Sequence, residues 1–202
     1  MKIRTMFLFL LFTSAMAFAQ SETYYVKTTN FDPGHTGTAA TIWVKFLGLA
    51  DPGEADAENW GLVLSKNTAT STNSAAFAQV QLTCCGGNIN LAGLTELGFD
   101  IRNGGHCGAG SPRFNVVTSD GVTHFIGCSA GTVAGSPAPG WTRLRFDPSN
   151  GSQAFPPVSP TALVRNVYIV ADEGTDTGPD FSGVSIIDNI DLNGDLIGEP
   201  KS

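Results

Sequence analysis

Apolar and polar residues alternate in short runs along most of the chain, and the runs end at clusters of Gly, Pro, Asn, Asp and Ser. Beyond the N-terminal stretch, no segment shows the 3.6-residue apolar stripe of an amphipathic helix. This pattern is typical of strands joined by turns. It predicts ten strands: Thr23–Thr29, Thr41–Phe46, Trp60–Ser65, Ala76–Leu82, Glu96–Arg102, Arg113–Thr118, Val122–Gly127, Trp141–Phe146, Arg165–Ala171 and Val184–Leu192.

Ten strands without an internal repeat or linker predict an all-β protein, a two-sheet antiparallel β-sandwich that forms one domain over residues 20–202. Asp120-Gly121 predicts a hairpin with a two-residue loop, because such loops need positive φ angles. In that register Phe114, Val116 and Phe125 share the inner face. Two longer connections are glycine-rich at residues 103–112 and proline-rich at residues 148–160.

The first 19 residues have the features of a signal peptide. Lys2 and Arg4 precede an apolar run from Met6 to Phe12, and an A-x-A cleavage pattern ends at Ala19. A membrane anchor is the alternative, but the run is shorter than the ~20 residues that span a bilayer. We therefore expect cleavage near Ala19 and a secreted protein, extracellular or periplasmic, with no membrane span.

The composition excludes several classes of protein. Of 202 residues only 14% are charged, and the formal net charge is −7. Such a chain is neither a coiled coil nor a basic nucleic-acid binder. Its acidic balance also disfavours nucleic acid and anionic membranes as partners.

Four cysteines agree with an oxidising compartment, where an even number indicates disulfides. Cys107 and Cys128 flank the predicted hairpin, so we expect them to pair. Cys84 and Cys85 are then either a vicinal pair or free thiols. The alternative, in which each bonds to one of the distant cysteines, stays open.

The last predicted strand, Val184–Leu192, has apolar residues followed by Asp188, Asn189 and Ile190. It resembles the final strand of the jelly-roll sandwiches of carbohydrate-binding modules and galactose-binding-like domains. The segment from Gly104 to Asn115 is also similar to a stretch of uncharacterised secreted bacterial proteins. The resemblance covers most of the chain in outline and implies a jelly-roll fold, sugar binding and a structural calcium. No ligand-binding motif of one module family matches, so the resemblance assigns no binding residue.

Alternation along the strands predicts a polar sheet face. Trp141, Arg143 and Arg145 lie opposite Leu144 and Phe146. If the neighbouring strands pair in the same sheet, the face binds a ligand through one set of residues: Asp100, Arg102, Arg113, Asn115, His124, Trp141, Arg143 and Arg145. Aromatic rings pack on sugar C–H faces, and planar Arg, Asp and Asn groups bond hydroxyls. The alternative is a solvent-exposed face joined by cross-strand ion pairs.

An acidic loop carries four carboxylates within nine residues: Asp172, Glu173, Asp176 and Asp180. Calcium takes six to eight oxygen ligands on a loop that can wrap the ion, so the loop is a candidate calcium site. A solvated acidic loop is the alternative. The segment from Asp191 to Asp195 resembles the start of an EF-hand loop, but an Asn-Gly turn explains it better.

Catalytic motifs are absent from the sequence: it has no G-x-S-x-G, no H-E-x-x-H and no glycine-rich phosphate loop. The function predicted is non-catalytic binding of an extracellular carbohydrate with a structural calcium. The alternative is a structural or adhesion sandwich that self-associates or binds a protein partner.

Overall fold

The computed structural model describes residues 23–50, 58–178 and 180–201. Within these ranges the regular elements are thirteen strands and one short 3₁₀ turn, Cys128–Ala130. The strands are β1 Tyr24–Phe31, β2 Ala39–Val44, β3 Gly61–Lys66, β4 Ala75–Leu82, β5 Leu91–Ala92, β6 Leu97–Arg102, β7 Arg113–Thr118, β8 Thr123–Gly127, β9 Thr132–Gly135, β10 Trp141–Phe146, β11 Leu163–Ala171, β12 Val184–Leu192 and β13 Asp195–Ile197. All ten predicted strands are present, with ends displaced by at most two residues.

The strands form two antiparallel sheets, which confirms the predicted all-β sandwich of jelly-roll type. Sheet I has the order β1-β4-β11-β7-β8, with β5 paired to β11. Sheet II has the order β2-β3-β12-β6-β10-β9, with β13 paired to β12. Because the chain crosses between sheets several times, consecutive strands often lie on opposite sides of the core.

The described residues contain no helix long and apolar enough to cross a membrane. The signal peptide predicted for residues 1–19 lies outside the described ranges, and the single domain over residues 20–202 stays a prediction.

The inner faces of both sheets are apolar and packed together. Phe114 of sheet I contacts Phe99 and Phe146 of sheet II, with ring centroids 5.5 and 5.8 Å away. Around these rings lie small and branched residues such as Ala76, Ala78 and Ile169, all fully buried. The alternation of every strand therefore directs one set of residues inward and the next set outward.

The hairpin between β7 and β8 differs from the prediction by one residue. Thr118 and Val122 flank a three-residue loop, in which the Gly121 amide donates to the Thr118 carbonyl at 3.0 Å. This is a type I turn followed by a glycine bulge, with Gly121 at φ 84°. One extra loop residue shifts the pairing of β8 by one position and reverses its faces.

The register of the hairpin corrects two predicted positions. Phe114 pairs with Ile126 and Val116 pairs with His124, so His124 faces the core and is 6% exposed. Phe125 pairs with Asn115, faces outward and is 44% exposed. The expected inner position of Phe125 and the expected outer position of His124 are therefore both wrong.

Two other local predictions are confirmed. Cys107 and Cys128 form a disulfide across 21 residues, with Cα atoms 5.2 Å apart. The turn between β12 and β13 is an Asn-Gly turn, with Asn193 at φ 56° and Gly194 at φ 91°. Both φ values are those of a type I′ hairpin.

The conformation of Gly121 gives the first testable prediction. A Cβ at Gly121 would meet no atom within 4 Å, so only the positive φ opposes a side chain there. Gly121→Ala should lower the free energy of unfolding by about 1 kcal/mol. The matched control is Gly151→Ala, at another open position without a positive φ. Urea denaturation measures both, and equal effects would contradict the assigned turn.

Candidate functional site

The eight residues predicted to form one binding face lie in three places. Asp100, Arg102, Trp141, Arg143 and Arg145 are on β6 and β10 of sheet II. The other strands, β7 and β8, belong to sheet I. The premise that these strands pair in one sheet is wrong, because the connection after β6 crosses the sandwich. The three remaining residues are on sheet I, where Arg113 and Asn115 face outward and His124 faces the core.

On the outer face of sheet II, the charged side chains form ion pairs with one another. The Arg143 guanidinium donates to both oxygens of Asp100, with two bonds of 2.8 Å, and Asp100 is fully buried. Arg145 Nε lies 3.0 Å from Asp191 Oδ2. Trp141 is only 7% exposed, so its ring offers no open surface to a ligand. The face has cross-strand ion pairs, as the alternative prediction expected, but Asp100 pairs with Arg143 and is buried rather than exposed to solvent.

A bulge in β12 determines which way the side chains of its segment Asp188–Asp191 point. Two residues, Asn189 and Ile190, lie opposite the single residue Phe99 between the paired positions Asp188 and Asp191. Asn189 takes a positive φ of 45°, and the extra residue lets both aspartates face outward while Ile190 stays in the core. Asn189 Nδ2 then donates to Asp100 Oδ2 at 2.9 Å.

The carboxylates of the acidic loop are directed to donors of the protein itself. Asp172 accepts from Arg113 Nη1 at 2.6 Å, and Asp176 accepts from the Thr70 amide and hydroxyl, each at 2.7 Å. Glu173 and Asp180 bond opposite nitrogens of His106. In the described part of the chain, no three His, Cys, Asp or Glu side chains converge as a metal site requires. In this conformation each of the four carboxylates accepts a hydrogen bond from another group of the protein.

Lys66 supplies a cation beneath this loop. Its side chain is 1% exposed, and its ammonium group donates to the carbonyls of Thr70, Thr72 and Asp172 at 2.7 to 2.9 Å. Burial lowers the pKa of Lys66, and the charges of Asp172 and Asp176 oppose that shift. Lys66 therefore joins the acidic loop to residues 70–72 through backbone carbonyls.

His106 fastens the glycine-rich loop to the acidic loop. Nδ1 lies 2.9 Å from Asp180 Oδ1 and Nε2 lies 2.6 Å from Glu173 Oε2. A Cβ at Gly108 would lie 2.1 Å from Glu173 Oε2, so a larger residue there would displace the carboxylate that bonds His106. Burial alone would lower the pKa of His106, but the bonds to Asp180 and Glu173 outweigh burial and raise it. The imidazolium is the form that donates to both carboxylates.

The outer face of sheet I has a different character. It presents rings and amides, and we call it the aromatic–amide face; its residues are Lys27, Phe31, Phe77, Gln79, Gln81, Arg113, Asn115, Phe125, Phe155, Asn166 and Tyr168. Phe155 joins it because residues Phe125 and Phe155 form an antiparallel bridge beyond β8. The most exposed rings are Phe155 at 78%, Phe31 at 51% and Phe125 at 44%.

Contacts within the aromatic–amide face hold its rings and amides in position. The Phe77 and Tyr168 rings are 4.9 Å apart, and the Arg113 guanidinium lies 5.7 Å from the centre of the Phe125 ring. Arg113 Nε also donates to Asn115 Oδ1 at 2.9 Å.

A chain of amides crosses the same face. Gln81 Nε2 donates to Gln79 Oε1, and Gln79 Nε2 donates to Asn166 Oδ1, both at 3.0 Å. Tyr25 donates to the far end of this chain, at Gln81 Oε1. The amide groups are therefore oriented before any ligand binds, which limits the entropy that binding would cost.

A polar cleft of about 430 Å³ opens at the β1 and β4 edge of this face. The cleft is lined by Phe31, residues 70–75, Lys66, Asp172 and Glu173. Phe31 pairs with Ala75 at the end of sheet I, so the cleft continues the aromatic–amide face.

Sequence reasoning identified only Arg113 and Asn115 of this face. In β4 a signal was present, because Phe77, Gln79 and Gln81 alternate with the small inner residues Ala76, Ala78 and Val80. In β11 both faces carry apolar residues, so alternation alone does not show that Tyr168 faces outward. Phe155 lies in the proline-rich connection, outside any predicted strand.

Comparison with known proteins gives similarity only at the level of solved structures. No protein-family model and no curated protein sequence matches the chain. One similar structure is a family 11 carbohydrate-binding module of a cellulosomal cellulase of Clostridium thermocellum, with 13% identity, a TM-score of 0.43, and coverage of 92% of this chain and 94% of that one. Another is the family 11 module from Clostridium thermocellum in complex with a β-1,3-1,4-mixed-linked tetrasaccharide, with 14% identity, a TM-score of 0.44, and coverage of 95% and 94%. The class of ligand is therefore inferred from the side chains of this chain and not from the similar structures.

The His106 contacts predict a dependence of stability on pH. Because the folded pKa is raised, the contribution of His106 is complete below the unfolded value of about 6.5 and is lost as pH rises through the folded value. Between pH 6 and 9, His106→Gln should show a flatter decline in unfolding free energy than the wild type. His35→Asn, at an exposed loop position with a positive φ, should keep the wild-type slope. Equal slopes for wild type and His106→Gln would contradict the prediction.

Proposed function

We propose that this protein binds an extracellular carbohydrate without catalysis, and that the glycan lies on the aromatic–amide face of sheet I. The observation that carries the proposal is a set of outward rings beside preoriented amides. Sugar C–H faces pack on aromatic rings, and amide and guanidinium groups bond hydroxyls in fixed directions.

The dimensions of the face suit a short oligosaccharide. The face spans five strands from Lys27 on β1 to Phe125 on β8, and the four intervals of about 4.8 Å between neighbouring strands make it roughly 19 Å across. Within the described part of the chain, the Tyr168 hydroxyl and the Asn115 Nδ2 group make no hydrogen bond to the protein. Both groups are therefore available to ligand hydroxyls.

The chemistry of the face supports binding rather than hydrolysis. A glycosidase needs two carboxylates that flank the scissile bond. The outward residues that define the aromatic–amide face include two cations, Lys27 and Arg113, and no carboxylate. Asp172 and Glu173 line the cleft at its margin, where Asp172 is paired to Arg113 and Glu173 bonds His106.

A glycan-array screen of residues 20–202, followed by titration of the best ligand, tests the proposal. Tyr168→Ala and Phe125→Ala should each weaken binding by about tenfold or more, since buried aromatic contacts dominate such interfaces. Phe46→Ala is the matched control, because Phe46 is 74% exposed and lies outside the face. Arg102→Ala tests the outer face of sheet II and should leave affinity unchanged.

Two outcomes would contradict the proposal. One is a folded protein that binds no glycan on the array; sedimentation would then test the alternative of self-association. The other is binding that is lost in Arg102→Ala and kept in Tyr168→Ala, which would assign the ligand to sheet II.

Calcium at the acidic loop is a separate hypothesis with its own measurement. Asp172 and Asp176 use Oδ1 to accept from Arg113 and Thr70, so the second oxygen of each carboxylate would ligate the ion. If calcium binds there, it should raise the melting temperature of the wild type, and EDTA should reverse the rise. Asp176→Asn should remove that response. A melting temperature that is the same in calcium and in EDTA would contradict the hypothesis.

A further inference from the structure

A pair of adjacent cysteines lies in the turn that follows β4, next to the Gln81 end of the aromatic–amide face. Cys84 and Cys85 are both exposed, and their sulfur atoms are 2.6 Å apart. Unbonded heavy atoms in contact are about 3.5 to 4.0 Å apart. The two sulfur atoms therefore point toward each other and are close enough for a bond to form without a change in the backbone path.

The surrounding turn is fixed at both ends. The Gly86 amide donates to the Leu82 carbonyl at 2.8 Å, and the Thr83 carbonyl accepts from Lys201 Nζ at 2.7 Å. Gly86 and Gly87, with φ values of 66° and 78°, follow the pair directly. The glycines give the backbone the freedom that closing a ring between neighbouring residues requires.

We propose that Cys84 and Cys85 form a reversible redox site that closes to a vicinal disulfide by exchange with small-molecule disulfides such as oxidised glutathione. The thiolate of one cysteine attacks a glutathione sulfur, forms a mixed disulfide and releases one glutathione. The second cysteine then attacks the protein sulfur of the mixed disulfide and releases the other glutathione. The cysteines lose two electrons and two protons, which the two released glutathione thiols carry.

The second disulfide of the chain serves as an internal reference. Cys107 and Cys128 are 21 residues apart, and Cys128 is 1% exposed. Adjacent residues hold their Cα atoms about 3.8 Å apart, closer than the ~4.4 to 6.8 Å of ordinary disulfides, and exposed or constrained disulfides are the more easily reduced. The pair at 84 and 85 should therefore open at glutathione ratios that leave Cys107–Cys128 closed.

Native protein equilibrated over a series of glutathione redox ratios, then alkylated and digested with trypsin, gives the test. Lys66 and Arg102 bound one tryptic peptide that contains only Cys84 and Cys85. In oxidising buffer we expect this peptide without alkylation, lighter than its dithiol by the mass of two hydrogen atoms. In reducing buffer we expect both residues alkylated together while Cys107 stays protected.

Single variants provide the control. Both positions are exposed, and in Cys84→Ser or Cys85→Ser the remaining thiol should carry one glutathione under the oxidising conditions that leave wild type unmodified. The proposal is overturned if wild type keeps two alkylatable thiols in oxidising buffer, or carries two glutathione adducts. Crosslinking of two chains through the tryptic peptide would overturn it as well.

Discussion

Three phenylalanine rings pack between the two sheets. Which residues of a strand face inward to this contact determines which residues face outward. Phe114 enters from sheet I, and Phe99 and Phe146 enter from sheet II, with all three centroids within 5.8 Å of one another. A strand shows alternate residues to its two faces, so fixing Phe114 inward fixes Arg113 and Asn115 outward. The placement of the candidate site is in this sense a consequence of core packing.

The two outer faces use their polar residues in opposite ways. On sheet II, Asp100 is fully buried, and a buried carboxylate is costly unless it is paired and hydrogen-bonded. Arg143 and Asn189 both donate to Asp100, so these polar groups of the face bond one another. On sheet I the amides bond one another as neutral groups, so they keep free lone pairs and protons. Exposed rings beside such groups suit a polyhydroxylated ligand. The ion-paired side chains of sheet II do not offer such groups.

The sequence predicts the strands well because alternation and turn residues are local signals. It predicts sheet membership poorly, because nothing within β6 or β7 shows that the chain crosses the sandwich between them. The assumption that these strands form one sheet placed Asp100 and Arg143 on the same face as Arg113 and Asn115. In the structure the core lies between the two pairs. The error at Phe125 has a similar origin: Asp120-Gly121 predicts a hairpin, but a single additional loop residue decides which face of β8 is buried.

The acidic loop shows how side chains distant in sequence pair with a local cluster of carboxylates. Four carboxylates in nine residues predict a cation, and cations are indeed present around the loop. They are Lys66 below it, Arg113 beside it and His106 between two of its carboxylates. Each comes from a strand or loop distant in sequence, so no local motif records it. Hydrogen bonds to a carboxylate fix its orientation, so Arg113 and His106 determine where the carboxylates of Asp172, Glu173 and Asp180 point. The composition of the loop thus specifies a joint between loops that these side-chain contacts hold together.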